Sequence, residues 1–113
     1  MQPDPLRAER SAFLEASAAA ANAVQELAGL GFEHPRSEEE ARALLHAVRL
    51  VAEKETDALA ALDRFLLRCA QLGLDPEPMA DFRRGRVELA ESLGVALGQV
   101  EQAKRVLRTL TDG

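Results

Sequence analysis

Two long segments of the chain, residues 41–72 and 79–110, place apolar side chains at alternating intervals of three and four residues. These positions are Ala41, Leu44, Val48, Val51, Ala58, Leu62, Phe65, Cys69 and Leu72 in the first segment, and Met79, Phe82, Leu89, Leu93, Ala96, Val100, Ala103, Leu107 and Leu110 in the second. Such a repeat, sustained over about four heptads, is typical of helices packed as in a coiled coil. Each segment breaks it once, at Glu55 and at Arg86. The pattern therefore predicts two long helices that pack against each other.

The link between these segments carries the signals that end one helix and begin the next. Gly73 suits the first residue after a helix, Asp75 is a candidate N-cap, and Pro76 or Pro78 suits a first helical turn. So short a link returns the second helix antiparallel to the first. In the resulting hairpin, each core position of the first segment faces one core position of the second. The two residue numbers add up to the same value in every facing pair, and this fixes the register.

The two polar residues in this repeat each have two interpretations. In the predicted register Glu55 faces Ala96, and it is either a polar layer that fixes the register or a carboxylate that binds a partner's Lys or Arg. Arg86 faces Phe65. It either packs its stem on the ring with the guanidinium in water, or joins neighbouring arginines that grip an acidic partner. We favour the polar layer for Glu55 and leave both interpretations of Arg86 open.

A shorter first helix is predicted over about residues 6–28. It follows Asp4, a candidate N-cap, and Pro5, which suits the first helical position, and Gly29 ends it. Residues 16–23 are so rich in alanine that this helix can approach its neighbours closely.

Together these elements predict an all-α fold. We expect a three-helix antiparallel bundle built on a long helical hairpin, with the shorter N-terminal helix packed on one side. By size the chain forms one domain, residues 1–113, with helices over about 6–28, 38–72 and 78–110. Ser37 followed by three glutamates is a capping box that begins the second of these helices, which explains the acids without a metal.

The two sides of the hairpin differ in polarity, and this decides where we expect the first helix to pack. The first flank carries Leu45, Ala52, Leu59 and Leu66 opposite Lys104, Leu97, Ala90 and Arg83. The second flank carries Ala47, Lys54, Ala61 and Arg68 opposite Val106, Gln99, Ser92 and Gly85. Because the first flank is the more apolar, we expect the first helix to cover it.

The first helix is shorter than the hairpin. At ~1.5 Å per residue it spans roughly 35 Å, against about 50 Å for each of the others. We therefore expect it to reach only to about Ala61, so that the hairpin tip, residues 62–89, projects into water. Apolar and arginine side chains are typical of interaction surfaces. The predicted partner-binding residues are Arg64, Phe65, Leu66, Leu67, Arg68, Met79, Phe82, Arg83, Arg84 and Arg86.

Leu50, Leu67 and His46 are further candidate site residues. Leu50 and Leu67 occupy outward positions of the second helix and could form a dimer seam, although single exposed leucines are normal. His46 lies on the outer face and lacks the glutamate three residues earlier that ferritin-like metal sites need. With only two histidines, the chain offers no constellation for nucleophilic catalysis. We predict no catalytic residue, no metal site and no cofactor.

Composition agrees with a helical protein. The 113-residue chain has a net charge of −5, which argues mildly against bulk nucleic-acid binding, and it lacks Trp and Tyr. Cys69, the single cysteine, occupies a core position and is expected to act as a small hydrophobe. Charges interrupt the apolar residues near the start, and no uncharged run approaches ~20 residues. We expect a cytoplasmic protein without a signal peptide or a membrane segment.

These observations favour a non-catalytic helical interaction module: an adaptor, chaperone-like partner or assembly subunit that binds a protein or forms a homodimer. A nucleic-acid-associated subunit that uses the tip arginines is one alternative, although no aromatic platform accompanies them and nearby acids dilute their charge. A bundle that binds a small ligand or a metal is the other. It needs inward polar residues in facing layers, and Glu55 and Arg86 lie in layers far apart.

Overall fold

The computed structural model describes residues 4–31, 33–74 and 76–112, of which residues 76–79 are described only as backbone. Within these residues the chain forms three helices and no strand: α1 (Arg7–Ala28), α2 (Glu38–Gln71) and α3 (Pro76–Asp112). The prediction of an all-α, three-helix antiparallel bundle built on a long hairpin is confirmed. No described helix is long and apolar enough to cross a membrane.

Helix α2 is the centre of the bundle, because it packs against both of the other helices. In the described part of the chain, no Cα atom of α1 lies within 8 Å of a Cα atom of α3. The molecule is long and thin, with extents of 63 × 23 × 18 Å. Most of the buried apolar side chains therefore come from α2.

The seam between α2 and α3 is buried as the repeat predicts. One cluster of buried residues contains two of the predicted facing pairs, Val51 with Val100 and Val48 with Ala103. Leu44, Leu93 and Leu107 pack against this cluster from partly buried positions. About half of the buried apolar residues are alanines, so the helices approach closely but bury little apolar area per residue.

The ends of α2 have the predicted caps. The Ser37 hydroxyl accepts a hydrogen bond from the Glu40 N–H at 3.1 Å, and the Glu40 carboxylate accepts one from the Arg36 N–H at 2.9 Å. At the other end Gly73 has φ +64°, and its N–H donates to the Ala70 carbonyl while the next N–H donates to the Cys69 carbonyl. This is the Schellman pattern, which glycine favours because it lacks a Cβ. Asp75, the predicted N-cap of α3, lies outside the described residues.

The predicted overhang of the hairpin tip is wrong. Leu6, just before α1, is buried in a second cluster with Leu62, Phe65 and Cys69. The Phe13 ring meets the Phe82 ring edge to face, with centroids 6.4 Å apart. The first helix thus reaches the arginine-rich end that it was expected to leave uncovered.

This discrepancy has a physical reason in the connection between α1 and α2. The prediction assumed that the end of α1 lies level with the start of α2. In the structure Leu27, near the end of α1, lines the same groove as Val48, well inside α2. The connection, residues 29–37, has the predicted length, and this length also allows α1 to lie further along α2. Leu6 and Phe13 are thereby removed from water, which favours the shifted position.

The groove at the end of α1 places this helix on the side of the second flank. On α2 both flanks contain buried residues, Leu45 and Ala52 in the first and Ala47 and Ala61 in the second, so the difference in burial lies on α3. Ala61, on the second flank, is only 2% exposed, whereas Leu97 on the first flank is 52% exposed. At the end of α1, Leu27 lines a groove together with Gln99 and Val106 of the second flank. The alanine-rich face of α1 fits the alanines of that flank, because small side chains on both helices allow close approach. The expectation based on polarity alone is therefore wrong.

Replacing a core residue of α2 should test which positions carry the stability. Leu62 is 1% exposed, so Leu62→Ala is expected to lower the free energy of unfolding by about 2–5 kcal/mol. The matched control, Leu67→Ala, changes a residue that is 60% exposed and should shift it by less than about 0.5 kcal/mol. Urea unfolding followed by circular dichroism measures both. Equal losses of stability in the two variants would contradict the placement of Leu62 in the core and of Leu67 on the surface.

Asp4 should make the start of α1 sensitive to acid. Its carboxylate accepts hydrogen bonds from the Leu6 N–H at 2.9 Å and from the Arg10 guanidinium, and these lower the pKa of Asp4. Because the folded-state pKa is lowered, the contribution is complete above the ordinary value, about 4, and is lost as the pH falls through the folded value. NMR of the Leu6 amide from pH 5 downward should report fraying only below about pH 4. Asp4→Asn should abolish that pH dependence, and a variant that frays at the same pH would refute the assignment.

Candidate functional site

Glu55 forms a polar layer inside the α2–α3 seam. The residue is 5% exposed, and the Ser92 hydroxyl donates a hydrogen bond to its Oε1 at 3.1 Å. Its Oε2 is buried and has no hydrogen-bond partner. The buried neighbours on the same helix, Ala52 and Ala58, are small and leave room for the carboxylate. This geometry favours the polar-layer interpretation over a carboxylate that reaches a partner. Sequence reasoning missed Ser92, which lies one turn before the predicted facing residue, Ala96.

Arg86 is held by an ion pair with Asp63 across the hairpin. Its Nε and Nη2 both donate to the Asp63 carboxylate, the second at 3.3 Å. This pair raises the pKa of Arg86. Both side chains are nearly half exposed, so water screens the pair and its net contribution to stability is small. The ring partner of Phe65 is Phe82, with centroids 4.7 Å apart, rather than the Arg86 stem that the sequence suggested.

The structure divides the predicted partner-binding residues into exposed and buried ones. Arg64, Leu67, Arg83 and Arg84 are exposed. Arg68, Leu66, Phe82 and Arg86 are intermediate. Phe65 is 4% exposed and faces the core, so it is not available to a partner as predicted. The side chain of Met79 lies outside the described residues.

The apolar surface that remains at this end differs from the predicted one. Three leucines near the end of α2 are exposed: Leu67 at 60%, Leu72 at 37% and Leu74 at 42%. We call these three residues the tip leucines. Sequence reasoning missed Leu74 as a site, although its position directly after Gly73, outside any helix, was a usable signal.

The structure places the two residues of the predicted dimer seam in different surroundings. Leu50 is partly buried and packs against the core cluster that contains Val48 and Ala52. It therefore does not point outward as the sequence suggested, because α2 is covered on two sides. Leu67 is exposed as predicted. A role for Leu67 in self-association stays a prediction.

An open groove lies where the end of α1 approaches α3. It has a volume of about 750 Å³, and its apolar lining consists of Leu27, Leu44, Val48, Ala103 and Val106, with Gln99, Gln102 and His34 among the polar residues. The volume is within the usual range of small-molecule sites, but the groove is open to solvent, and Glu33 is the one acidic residue in its lining. Among the described residues no group of three or more His, Cys, Asp or Glu could hold a metal ion.

Comparisons with known proteins add nothing to this geometry. No protein-family model, no curated protein and no solved structure matches the chain.

The unpaired oxygen of Glu55 should carry a measurable cost. Glu55→Met keeps the volume similar and removes the buried unpaired oxygen, so we expect the free energy of unfolding to rise by about 1–3 kcal/mol. Ser92→Ala should lower it by about 1 kcal/mol in the parent chain and change little when Met occupies position 55.

Thermal and urea unfolding measure this double-mutant cycle. Glu53→Met serves as the control, because Glu53 lies on the same helix with an exposed side chain. If Glu55→Met lowers the free energy of unfolding by more than Glu53→Met does, the Glu55 carboxylate stabilises the fold. That outcome would contradict the expected cost of its unpaired oxygen.

Proposed function

We propose that this protein is a non-catalytic helical interaction module: an adaptor, chaperone-like partner or assembly subunit of the cytoplasm. It binds a protein partner through the tip leucines and the arginines beside them, and it associates with a second copy of itself. Arg64 supplies an exposed charge on the same part of α2 as Leu67.

The observation that carries this proposal is the large accessible surface of the chain. A compact monomer of 12.3 kDa exposes roughly 6,100 Å² by area scaling. This chain exposes 7739 Å², and the surplus includes large apolar side chains such as Leu67 and Leu97. Exposed apolar surface of this kind is characteristic of proteins that bury it against a partner. The alanine-rich core, which buries little apolar area, supports the same conclusion.

The alternative functions have less support. Arg86 is neutralised by Asp63, and the net charge of the chain is −5, so a nucleic-acid backbone meets little positive surface. The groove near Leu27 is open to solvent, and its lining offers a single carboxylate, Glu33, rather than several charged groups that converge on one ligand.

The tip leucines should be required for partner binding and not for folding. We expect Leu67→Glu combined with Leu74→Glu to lower the capture of the native partner by at least about tenfold, because a buried charge is expensive at an interface. The melting temperature should stay within about 4 °C, since both side chains are already exposed.

The matched control is Leu14→Glu on α1, because Leu14 and Leu67 are both 60% exposed. Affinity capture from the native host, quantified by mass spectrometry, measures binding, and circular dichroism measures melting. Unchanged capture by the double variant, or equal loss with Leu14→Glu, would refute the proposed site.

A further inference from the structure

The first flank of the hairpin stays exposed on its α3 side. Leu97 is 52% exposed, Val87 in the row beside it is 54% exposed, and Leu59 and Leu66 of α2 are intermediate. A Cβ atom built on Gly94, between Val87 and Leu97, would meet nothing within 4 Å. We call this surface, formed by Leu59, Leu66, Val87, Ala90, Gly94 and Leu97, the open face.

Ion pairs within the chain use up the carboxylates at the border of the open face. Heptad spacing groups this border into two rows, positions 42, 49, 56, 63 and 70 of α2 and positions 87, 94, 101 and 108 of α3. Three pairs neutralise charges on or beside these rows: Asp63 with Arg86, Glu101 with Lys104, and Glu38 with Arg42.

The charges that remain are all positive. Arg49 and Arg108 lie in the two border rows and Arg83 lies on the flank itself, and none of them forms an ion pair with a described residue. Glu53, one turn after Arg49, lies one row further from the face. The open face therefore presents arginines without a carboxylate, although the net charge of the chain is −5.

Two of these arginines bracket the apolar part of the face. Both Arg49 and Arg83 are exposed. In the register set by the buried pair of Val51 and Val100, Arg83 lies level with residue 68 of α2. At ~1.5 Å per residue, Arg49 is then roughly 28 Å further along the bundle, with Leu59 and Leu97 between the two levels.

From this arrangement we infer that the open face binds an acidic amphipathic helix of another protein. Apolar side chains of that helix pack on Leu59 and Leu97, and carboxylates towards its two ends pair with Arg49 and Arg83. The helix lies in the groove between α2 and α3, on the side away from α1. This surface is separate from the tip leucines, so the inference goes beyond the proposed function.

A second copy of the chain fits the open face poorly. A twofold interface brings the same patch of two copies together, so the unpaired arginines of one copy would meet those of the other without a carboxylate between them. A nucleic-acid backbone would satisfy the arginines, but it would set charged phosphates against the apolar side chains of Leu59 and Leu97. An acidic helix with an apolar face matches both features.

Two synthetic helical peptides test the partner chemistry. Each is about 20 residues long and carries the same stripe of leucines, and the flanking positions hold glutamate in the acidic peptide and lysine in the basic one. Fluorescence anisotropy measures their binding to the full chain. We expect the acidic peptide to bind at least about tenfold more tightly, with a preference that shrinks as salt is added. Equal binding, or tighter binding of the basic peptide, overturns the inference.

Variants of the chain test the location. Leu97→Glu should weaken binding of the acidic peptide at least about tenfold, whereas Leu14→Glu, at a 60% exposed position of α1, should change it by less than about twofold. Arg49→Glu combined with Arg83→Glu should reverse the preference between the two peptides. Arg105→Glu, exposed on α3 outside the border rows, is the matched charge control. Circular dichroism checks that each variant is folded, and a preference that the double variant retains overturns the inference.

The other occupants give different results. A parent chain that sedimentation equilibrium finds as a dimer, and that Leu97→Glu makes monomeric, would assign the face to a second copy and overturn the inference. Tighter binding of duplex DNA than of the acidic peptide would overturn it as well. Leu67→Glu combined with Leu74→Glu should leave acidic-peptide binding within about threefold of the parent, so this inference and the proposed tip site fail independently.

Discussion

The structure depends on α2 packing against two helices at once. An isolated helix of this length gains little stability in water, and a single hairpin partner covers only one stripe of it. In this chain α3 covers the regular repeat, and α1 covers the side marked by Ala47 and Ala61. Since α1 and α3 have no close backbone approach in the described part, losing α2's apolar surface would leave neither of them a core.

Small side chains allow this close packing of the helices, but they also limit how much stability it provides. Alanines at facing positions let three helices approach closely, but they remove little apolar area from water. The seam also includes Glu55, whose Oε2 has no partner. A polar layer of this kind specifies register at a cost in stability. The result is a long, thin bundle whose apolar residues are only partly buried, which is the physical basis for proposing that it functions in an assembly.

The position of α1 decides which apolar residues of the hairpin stay exposed. Because Leu6, just before α1, packs against Phe65 and Cys69, the exposed large apolar residues described around the turn are Leu67, Leu72 and Leu74. Because α1 lies on the side of the second flank, Leu97 on the α3 side of the first flank stays exposed. A first helix on the other side of the hairpin would have left the second flank exposed instead.

The sequence by itself determined the three helices, the caps of α2 and the register of the hairpin. Those features are local or nearly so: Ser37 and Gly73 act on adjacent backbone groups, and the short link between α2 and α3 allows only one way to align two apolar repeats. The sequence did not predict the start of α1, whose N-cap is Leu6 rather than Asp4. The sequence also indicated that Glu55 would be a polar layer, although not that Ser92 would bind it.

Only the tertiary structure decided the side on which α1 packs and how far along α2 it lies. Its alanine-rich face fits more than one groove, and the connection over residues 29–37 is long enough to permit several axial positions. The choice depends on the summed burial of distant residues such as Leu6 and Phe13, and on close contact between alanines. A one-dimensional pattern records which face of a helix is apolar, but not which neighbour that face fits best.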